Sequence, residues 1–452
     1  MAHDVLATLG FEVKQAQPAR LLPTLPESRK EERATSILMA MMRVVPALAS
    51  EILSRANLRL GVRSKVHVFT EVVFKNSESR SRPDGLIIVE MGSKKWSALI
   101  ESKVGNNQLE SAQLEDYLLV ARDNGCDAII TFSNEYTSQP DHHPTRVSRQ
   151  RVRNVGMYHF SWLSLQSLAF VLLDSMRVSD VEQAYLLEEF LSYMDSDRAG
   201  IKSAYRLSPH WKNVSEAVNT QQALAKSSED VLNAVNDWHQ LVRYLSIQMT
   251  RKLGEIVSVN IGRKASKDSS IRVSSDLSRL VSDKYLTASL SIPDTAADIE
   301  ITADFSRRSL TVTSRLDAPK DIKRPTASIN WVKRQLSKCK TSEQDILFVK
   351  WPRRYKDTSD FVQYLEERVD ALVPEGCKDI PIEFAIKRHL DAGAKFKAAS
   401  TMVELTESLL VEFYGDIVQN LVAWVPRAPR LKQVCLDENS DADYDDEAGG
   451  DV

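Results

Sequence analysis

The chain lacks most of the signatures by which common protein classes are recognised. Its four cysteines, Cys126, Cys339, Cys377 and Cys435, lie far apart in 452 residues. No CxxC pair and no paired Cys/His spacing occurs, which excludes a zinc ribbon and a disulfide framework. No apolar run approaches the ~18 residues that cross a bilayer. The opening MAHDVLATLGFEVKQAQPAR lacks the basic start, apolar core and small-residue cleavage site of a secretion signal. The expected setting is cytoplasmic, with no membrane partner. A P-loop, a GxGxxG after a strand and a GxSxG elbow are all missing, and with them the usual marks of NTPases, dinucleotide enzymes and serine hydrolases. Charge is nearly balanced, at −3 overall. That balance hides an asymmetry, because 437–452 holds six Asp and two Glu with no Lys or Arg, leaving the rest net positive. Such a tail cannot build a core and is expected to be a mobile polyanion that competes with nucleic acid for basic patches.

What is present is an ordinary globular composition, 43% hydrophobic and 27% charged, in a chain long enough for two or three domains. The most informative stretch runs from Lys65 to Ile130. SRPDGLIIVE and KWSALIESKV read as short strands, with MGSKK between them as a hairpin turn. Antiparallel pairing about that turn brings Asp84, at the start of the first strand, beside Glu101 and Lys103 at the end of the second. Side chains two apart share a face, so Glu101 and Lys103 point together while Ser102 points away. Two carboxylates converging from neighbouring strands form a hard oxygen site suited to Mg²⁺ or Mn²⁺. A lysine beside them can steady a developing oxyanion or orient a metal-bound water.

In these residues the chain resembles the PD-(D/E)xK nuclease superfamily, whose fold is that of restriction enzymes and Holliday-junction resolvases. Pro83-Asp84 match the PD, and Glu101-Ser102-Lys103 match the ExK. Gln113 and Tyr117, on the helix expected in NNQLESAQLEDYLLVARDNG, resemble a QxxxY extension found in some branches. The resemblance covers about the first 160 residues. It implies an αβββαβ core with a mixed sheet, a divalent ion (Mg²⁺ or Mn²⁺) on Asp84 and Glu101, and Lys103 acting on the attacking water or the phosphate. Gln113 and Glu71 are the assisting candidates. Glu71 interrupts the apolar strand VHVFTEVVF, either as a further metal-site acid or as the partner of a basic side chain. Glu32-Arg33 is analogous to the ER pair of resolvase-like members, but the helical wheel puts Glu31, not Glu32, nearer the apolar stripe. An acid complementing the helix dipole is the simpler reading of both.

The organisation along the chain follows. Residues 1–27 read as an extension and 28–200 as the nuclease-like domain. That domain opens on a helix with a Ser28/Glu31 capping box and a break at Pro46. CDAIITFS and VGMYHFSW are further strands. The loop between them, with His142, His143, Arg146, Arg149, Arg151 and Arg153, reads as phosphate-contacting, with a merely solvated loop as the alternative. Residues 201–255 read as a helical connector and 256–434 as an α+β domain that binds substrate or a partner, ahead of the acidic tail at 435–452. In that domain ADIEITADF and SLTVTSRL form a hairpin, and SDFVQYLEERVDALV and STMVELTESLLVEFYGDIVQNLVAW are expected helices. Lys320–Lys356 holds eleven Lys/Arg against three Asp/Glu, interleaved with Trp331, Phe348, Trp351 and Tyr355. Lys333, Arg334, Arg353 and Arg354 are its candidates for nucleic-acid contact, with solvated basic faces over core aromatics as the alternative.

The expected function is a metal-dependent endonuclease acting on nucleic acid, DNA in preference to RNA, in genome defence or repair; a homodimer is compatible with this. The rivals are a non-catalytic nucleic-acid-binding protein that keeps the fold, and a regulator whose C-terminal domain senses a ligand.

Overall fold

The computed structural model describes residues 2–425 except 27, 76–81, 138, 146, 149–153 and 203. Arg149, Arg151 and the acidic tail therefore lie outside the described residues. The chain is mixed α/β, with one mixed six-stranded sheet, a second antiparallel sheet of seven strands, and helices around both.

The first sheet is built in chain order. A short helix α1 (Ala2–Thr8) leads to β1 (Val13–Pro18), then α2 (Lys30–Val44) and α3 (Pro46–Arg55). Next come β2 (Lys65–Phe74), β3 (Gly85–Met91), β4 (Lys94–Ser102), α4 (Ser111–Asp123), β5 (Ala128–Ser133) and β6 (Gly156–Ser161). β1 to β4 are antiparallel neighbours, whereas β4, β5 and β6 run parallel. The expected hairpin is present, and Gly92 turns it with a φ of +67°, a left-handed conformation that costs glycine nothing. Helix α2 stops at Val45 and Pro46 starts α3, the two axes meeting at 108°. Proline suits the first turn of the new helix, where its missing N–H would have no partner.

Alternation along the strands divides the sheet into two faces. Ile87, Ala98, Ile100, Ile130 and Phe160 pack under α2, α3, α5 (Trp162–Asp174) and α6 (Val181–Asp195). Leu86, Ile88, Leu99, Ile129 and Met157 pack under α4 on the other face. The N-terminal extension adds to this sheet: β1 pairs with β2, and Leu6, Phe11 and Val13 belong to the α4-side core. The capping box is not formed either, since α2 begins at Lys30 with Arg29 before it and no side-chain cap.

The second sheet has a core of its own, which the connector helices α7 (Pro209–Asn219) and α8 (Glu229–Leu253) share. Trp211, Trp238, Leu241 and Leu245 bury one stripe of these helices against it. Around it lie β7 (Ser258–Asn260), α9 (Arg263–Lys267), α10 (Ser269–Asp283), β8 (Tyr285–Ser291), β9 (Ile299–Asp304) and β10 (Ser309–Asp317). They are followed by α11 (Pro325–Leu336), β11 (Asp345–Lys350), β12 (Thr358–Phe361), β13 (Glu383–Asp391) and α12 (Thr401–Asp416). The helix expected over SDFVQYLEERVDALV is instead the edge strand β12 followed by short helical turns. β13 was not evident in the sequence, because Lys387, Arg388 and His389 break its apolar pattern. Its Arg388 is buried in a two-pronged ion pair with Asp345, at 2.8 and 3.0 Å, and reaches Asp416 at 2.8 Å. No single helix among the described residues is long and apolar enough to cross a membrane.

Candidate active site

The register of β3 and β4 pairs Gly85 with Ile100, which sets Asp84 opposite Glu101 at the end of the ladder. Glu101 is 1% exposed. Its Oε1 accepts hydrogen bonds from Lys103 Nζ at 2.6 Å and from Gln113 Nε2 at 2.8 Å. Its Oε2 is buried and has no hydrogen-bond partner among the described residues. Asp84 Oδ2 accepts from the Ser102 N–H at 2.8 Å and the Ser102 hydroxyl at 3.1 Å. The residue between Glu101 and Lys103 thus fixes the acid on the neighbouring strand.

Helix α4 supplies the outer support. Gln113 and Tyr117 are one turn apart, and Gln113 Nε2 also donates to the Tyr117 hydroxyl at 3.0 Å. Tyr117 donates in turn to the Arg82 carbonyl at 2.9 Å, next to Pro83. Helix α2 closes the other side: the Thr35 hydroxyl bonds Ser102 Oγ, and Glu31 Oε2 lies 3.8 Å from Lys103 Nζ. Glu31 Oε1 accepts from Asn107 at 2.6 Å. Of the two acids at the start of α2, Glu31 is the one that joins the site. Glu32 pairs with Arg29 at 3.9 Å. The wheel pointed to Glu31, although the dipole argument set both acids aside.

The electrostatics follow from this crowding. Burial, and then the Glu101 carboxylate, push Asp84 up to about 8, despite the hydrogen bonds from Ser102 and the charge of Lys103. Burial likewise raises Glu101, against the pull of Lys103. For Lys103, burial acts downward but is outweighed by Glu101, Glu31 and Asp84, so its ammonium is held above the ordinary range. A buried and a half-buried carboxylate, both with raised pKa values and the buried one with an unsatisfied oxygen, are short of positive charge. Among the described residues no three Asp, Glu, His or Cys side chains gather as ligands for one ion. Mg²⁺ keeps several waters and is commonly held by one or two carboxylates, so Asp84 and Glu101 form a sufficient donor pair.

Asp84 is reached from a cleft of about 400 Å³ that Arg20, Arg29, Arg82, Glu32 and Glu71 also line. Glu71 has a φ of +54° and its carboxylate is taken by Arg82 at 2.8 Å and Arg29 at 3.8 Å, with Gln15 and Gln17 donating to it. Of the two roles open to it, partner of basic side chains is the one its contacts match. Arg20 and Arg29 were not evident in the sequence, because each lies in a segment that only folding brings near Asp84; Arg82 is two residues from Asp84 in the chain, but nothing local marks its side chain for the cleft.

The same register continues across the sheet. Glu101 pairs with Thr131 on β5, and Thr131 with His159 on β6, so the three side chains share the α4 face. The Thr131 hydroxyl lies 2.9 Å from His159 Nδ1 and 2.8 Å from His143 Nε2. Burial lowers His159 to about 4, which keeps it neutral. His142 Nε2 lies 3.2 Å from the Ser266 carbonyl in the second domain. Both imidazoles of the basic loop therefore make internal links.

In the Lys320–Lys356 stretch, Lys333 pairs with Glu366 at 2.7 Å and Arg354 with Asp379. Trp351 is buried and Trp331 packs on Phe384. Arg334 donates to the Asn330 carbonyl at 3.2 Å, and Arg353 is exposed with no ion pair among the described residues. Two of the four cations are thus neutralised in place, and these two tryptophans belong to the packing of the second core.

No family model, no curated protein and no solved structure matches this chain. A functional reading therefore rests on its own residues.

Proposed function

We propose that the chain is a metal-dependent nuclease that hydrolyses phosphodiester bonds, with DNA as the preferred polymer and the first sheet as a restriction-endonuclease-like core. The observation that carries this is the Asp84–Glu101 pair, set on adjacent strands with Lys103 on one carboxylate and a buried oxygen of that carboxylate without a hydrogen-bond partner among the described residues. The order helix, three strands, helix, strand, with β4 and β5 parallel, supports the fold assignment.

Asp84 and Glu101 would hold the divalent ion, Mg²⁺ or Mn²⁺, which when bound lowers the pKa of a coordinated water and polarises the phosphoryl oxygens. Lys103 keeps its proton and can neutralise charge developing on the phosphate. Gln113, fixed by Tyr117, holds the Glu101 carboxylate in one orientation, and Ser102 does the same for Asp84. Arg20, Arg29 and Arg82 line the approach and suit a sugar-phosphate backbone. The Ser102 and Gln113 contacts disfavour a purely binding role, because such a role requires no paired buried carboxylates.

Incubating the purified protein with plasmid, single-stranded DNA and RNA, in Mg²⁺, Mn²⁺ or EDTA, tests the reading. Cleavage of at least one polymer in metal and none in EDTA is expected. Intact substrates in every metal condition would leave it without support.

A further inference from the structure

A second concentration of unmet polarity lies between the two sheets. A cavity of about 230 Å³ is enclosed by α3, α5 and β6 on one side and by α8 and β7 on the other, with the loop around Pro140 beside it. Arg243 of α8 faces it. The one hydrogen bond Arg243 makes among the described residues goes to Ser246 Oγ at 3.2 Å, and it has no carboxylate partner there. Arg55, at the end of α3, lines the same cavity and shares the single carboxylate of Glu51 with Arg177. The proximity is felt electrostatically: burial, and then Arg55, lower Arg243 to about 10.

Ser161, Ser164, Ser167, Thr250 and Ser258 line the remaining wall, where Ser164 and Thr250 already donate their hydroxyl protons to the Ser161 and Ser246 carbonyls. Ser167 is 3% exposed, and its Oγ has no hydrogen-bond partner among the described residues. A guanidinium without a counter-charge and a buried hydroxyl without an acceptor are each costly alone. Their deficits are of the same kind, since both are donors that lack an acceptor. A tetrahedral oxyanion presents only acceptors and answers all of them, with arginine forks and hydroxyls as its usual ligands.

We propose that this interdomain cavity is a binding site for a compact phosphate-class oxyanion, held by Arg243, Arg55 and Ser167. The volume lies below the ~300 Å³ at which clefts begin to hold drug-sized ligands, so the group is small or is the terminal phosphate of something larger. Arg55 and Ser167 come from the first domain and Arg243 from the second, so the bound anion bridges them and stabilises their contact. The inference is independent of the nuclease reading.

Thermal unfolding of the full chain, with sodium phosphate titrated against sodium chloride at matched ionic strength, tests it. Phosphate should raise the unfolding temperature saturably and chloride should not, as expected for a ligand of the folded state. Ser167→Ala loses no hydrogen bond and should fold normally. Its phosphate dissociation constant should rise about tenfold, the equivalent of one buried hydrogen bond to a charged group. Arg243→Met should abolish the phosphate response. A 5′-phosphorylated oligonucleotide and its 5′-hydroxyl counterpart run in parallel separate the sources: a response to phosphate with equal responses to the two strands assigns a free ion, and a larger response to the phosphorylated strand assigns a terminal phosphate. Equal effects of phosphate and chloride on the wild type, or an unchanged phosphate constant in Ser167→Ala, would overturn the proposal.

Discussion

Asp84 Oδ2 accepts two hydrogen bonds from Ser102, one from its N–H at 2.8 Å and one from its hydroxyl at 3.1 Å. The middle residue of the Glu101-Ser102-Lys103 run is therefore the clamp on the opposing acid. Its hydroxyl also bonds Thr35 of α2, so one serine ties together β3, β4 and the helix that carries Glu31.

Ser102→Ala leaves the backbone bond and removes the hydroxyl. Loss of one hydrogen bond to a carboxylate is worth about 1–3 kcal/mol. The expected result is roughly a tenfold or greater weakening of Mn²⁺ binding by calorimetry, with the fold intact by circular dichroism. Wild-type affinity would show that Ser102 does not position Asp84.

Because Asp84 is pushed up to about 8, it holds its proton near neutral pH in the absence of a cation. A divalent ion binds the deprotonated form, so binding must release that proton. Apparent Mn²⁺ affinity should then rise by up to about tenfold per pH unit as pH approaches 8, and level off above it. Calorimetry in buffers of different ionisation enthalpy measures the release directly. A binding constant that is flat between pH 6 and 8 would contradict it.

His159 titrates in the opposite sense. Burial lowers it to about 4, whereas the unfolded chain protonates its histidine near 6.5. The unfolded state therefore takes up a proton that the native state refuses. The stabilisation is complete above pH 6.5 and is lost as pH falls from there toward 4. His159→Gln should flatten that part of the stability curve, measured by urea unfolding between pH 4.5 and 7.5. Parallel curves for the two proteins would mean that acid sensitivity arises elsewhere.

Nucleic-acid affinity should depend more on the cleft than on the basic stretch of the second domain. Arg20 lines the approach to Asp84 with no ion pair among the described residues, and Arg29 and Arg82 share Glu71 there, whereas Lys333 and Arg354 each have an acid to themselves. Removing one phosphate-binding cation lowers the slope of log K against log salt by about 0.9 on duplex DNA. Arg20→Ala with Arg82→Ala should reduce that slope by about 2, and Lys333→Ala with Arg354→Ala by much less. The reverse ranking would return the interface to Lys320–Lys356.

How far the sequence was readable depended on the distance over which each feature is determined. The hairpin, the placement of Asp84 and the shared face of Glu101 and Lys103 are set by alternation and a two-residue turn, and all are local. The break at Pro46 is local too. β1 was missed because VKQAQP is polar at most positions and gains its place only by pairing with β2. β13 was missed because its buried charge, Arg388, is tolerable only next to Asp345, forty-three positions away in the chain. The helical pattern over SDFVQYLEERVDALV was overridden when its first residues added to the edge of the second sheet. The row Glu101, Thr131, His159 depends on parallel pairing, which no local signal sets.

The most direct test of the central claim compares wild type with Asp84→Asn on supercoiled plasmid in Mn²⁺, under single-turnover conditions and with matched circular dichroism spectra. The substitution keeps the shape of the side chain and removes its charge from the pair with Glu101. The account predicts cleavage by the wild type that EDTA abolishes, and a rate in Asp84→Asn lower by about a hundredfold or more. Equal rates for the two proteins would contradict it.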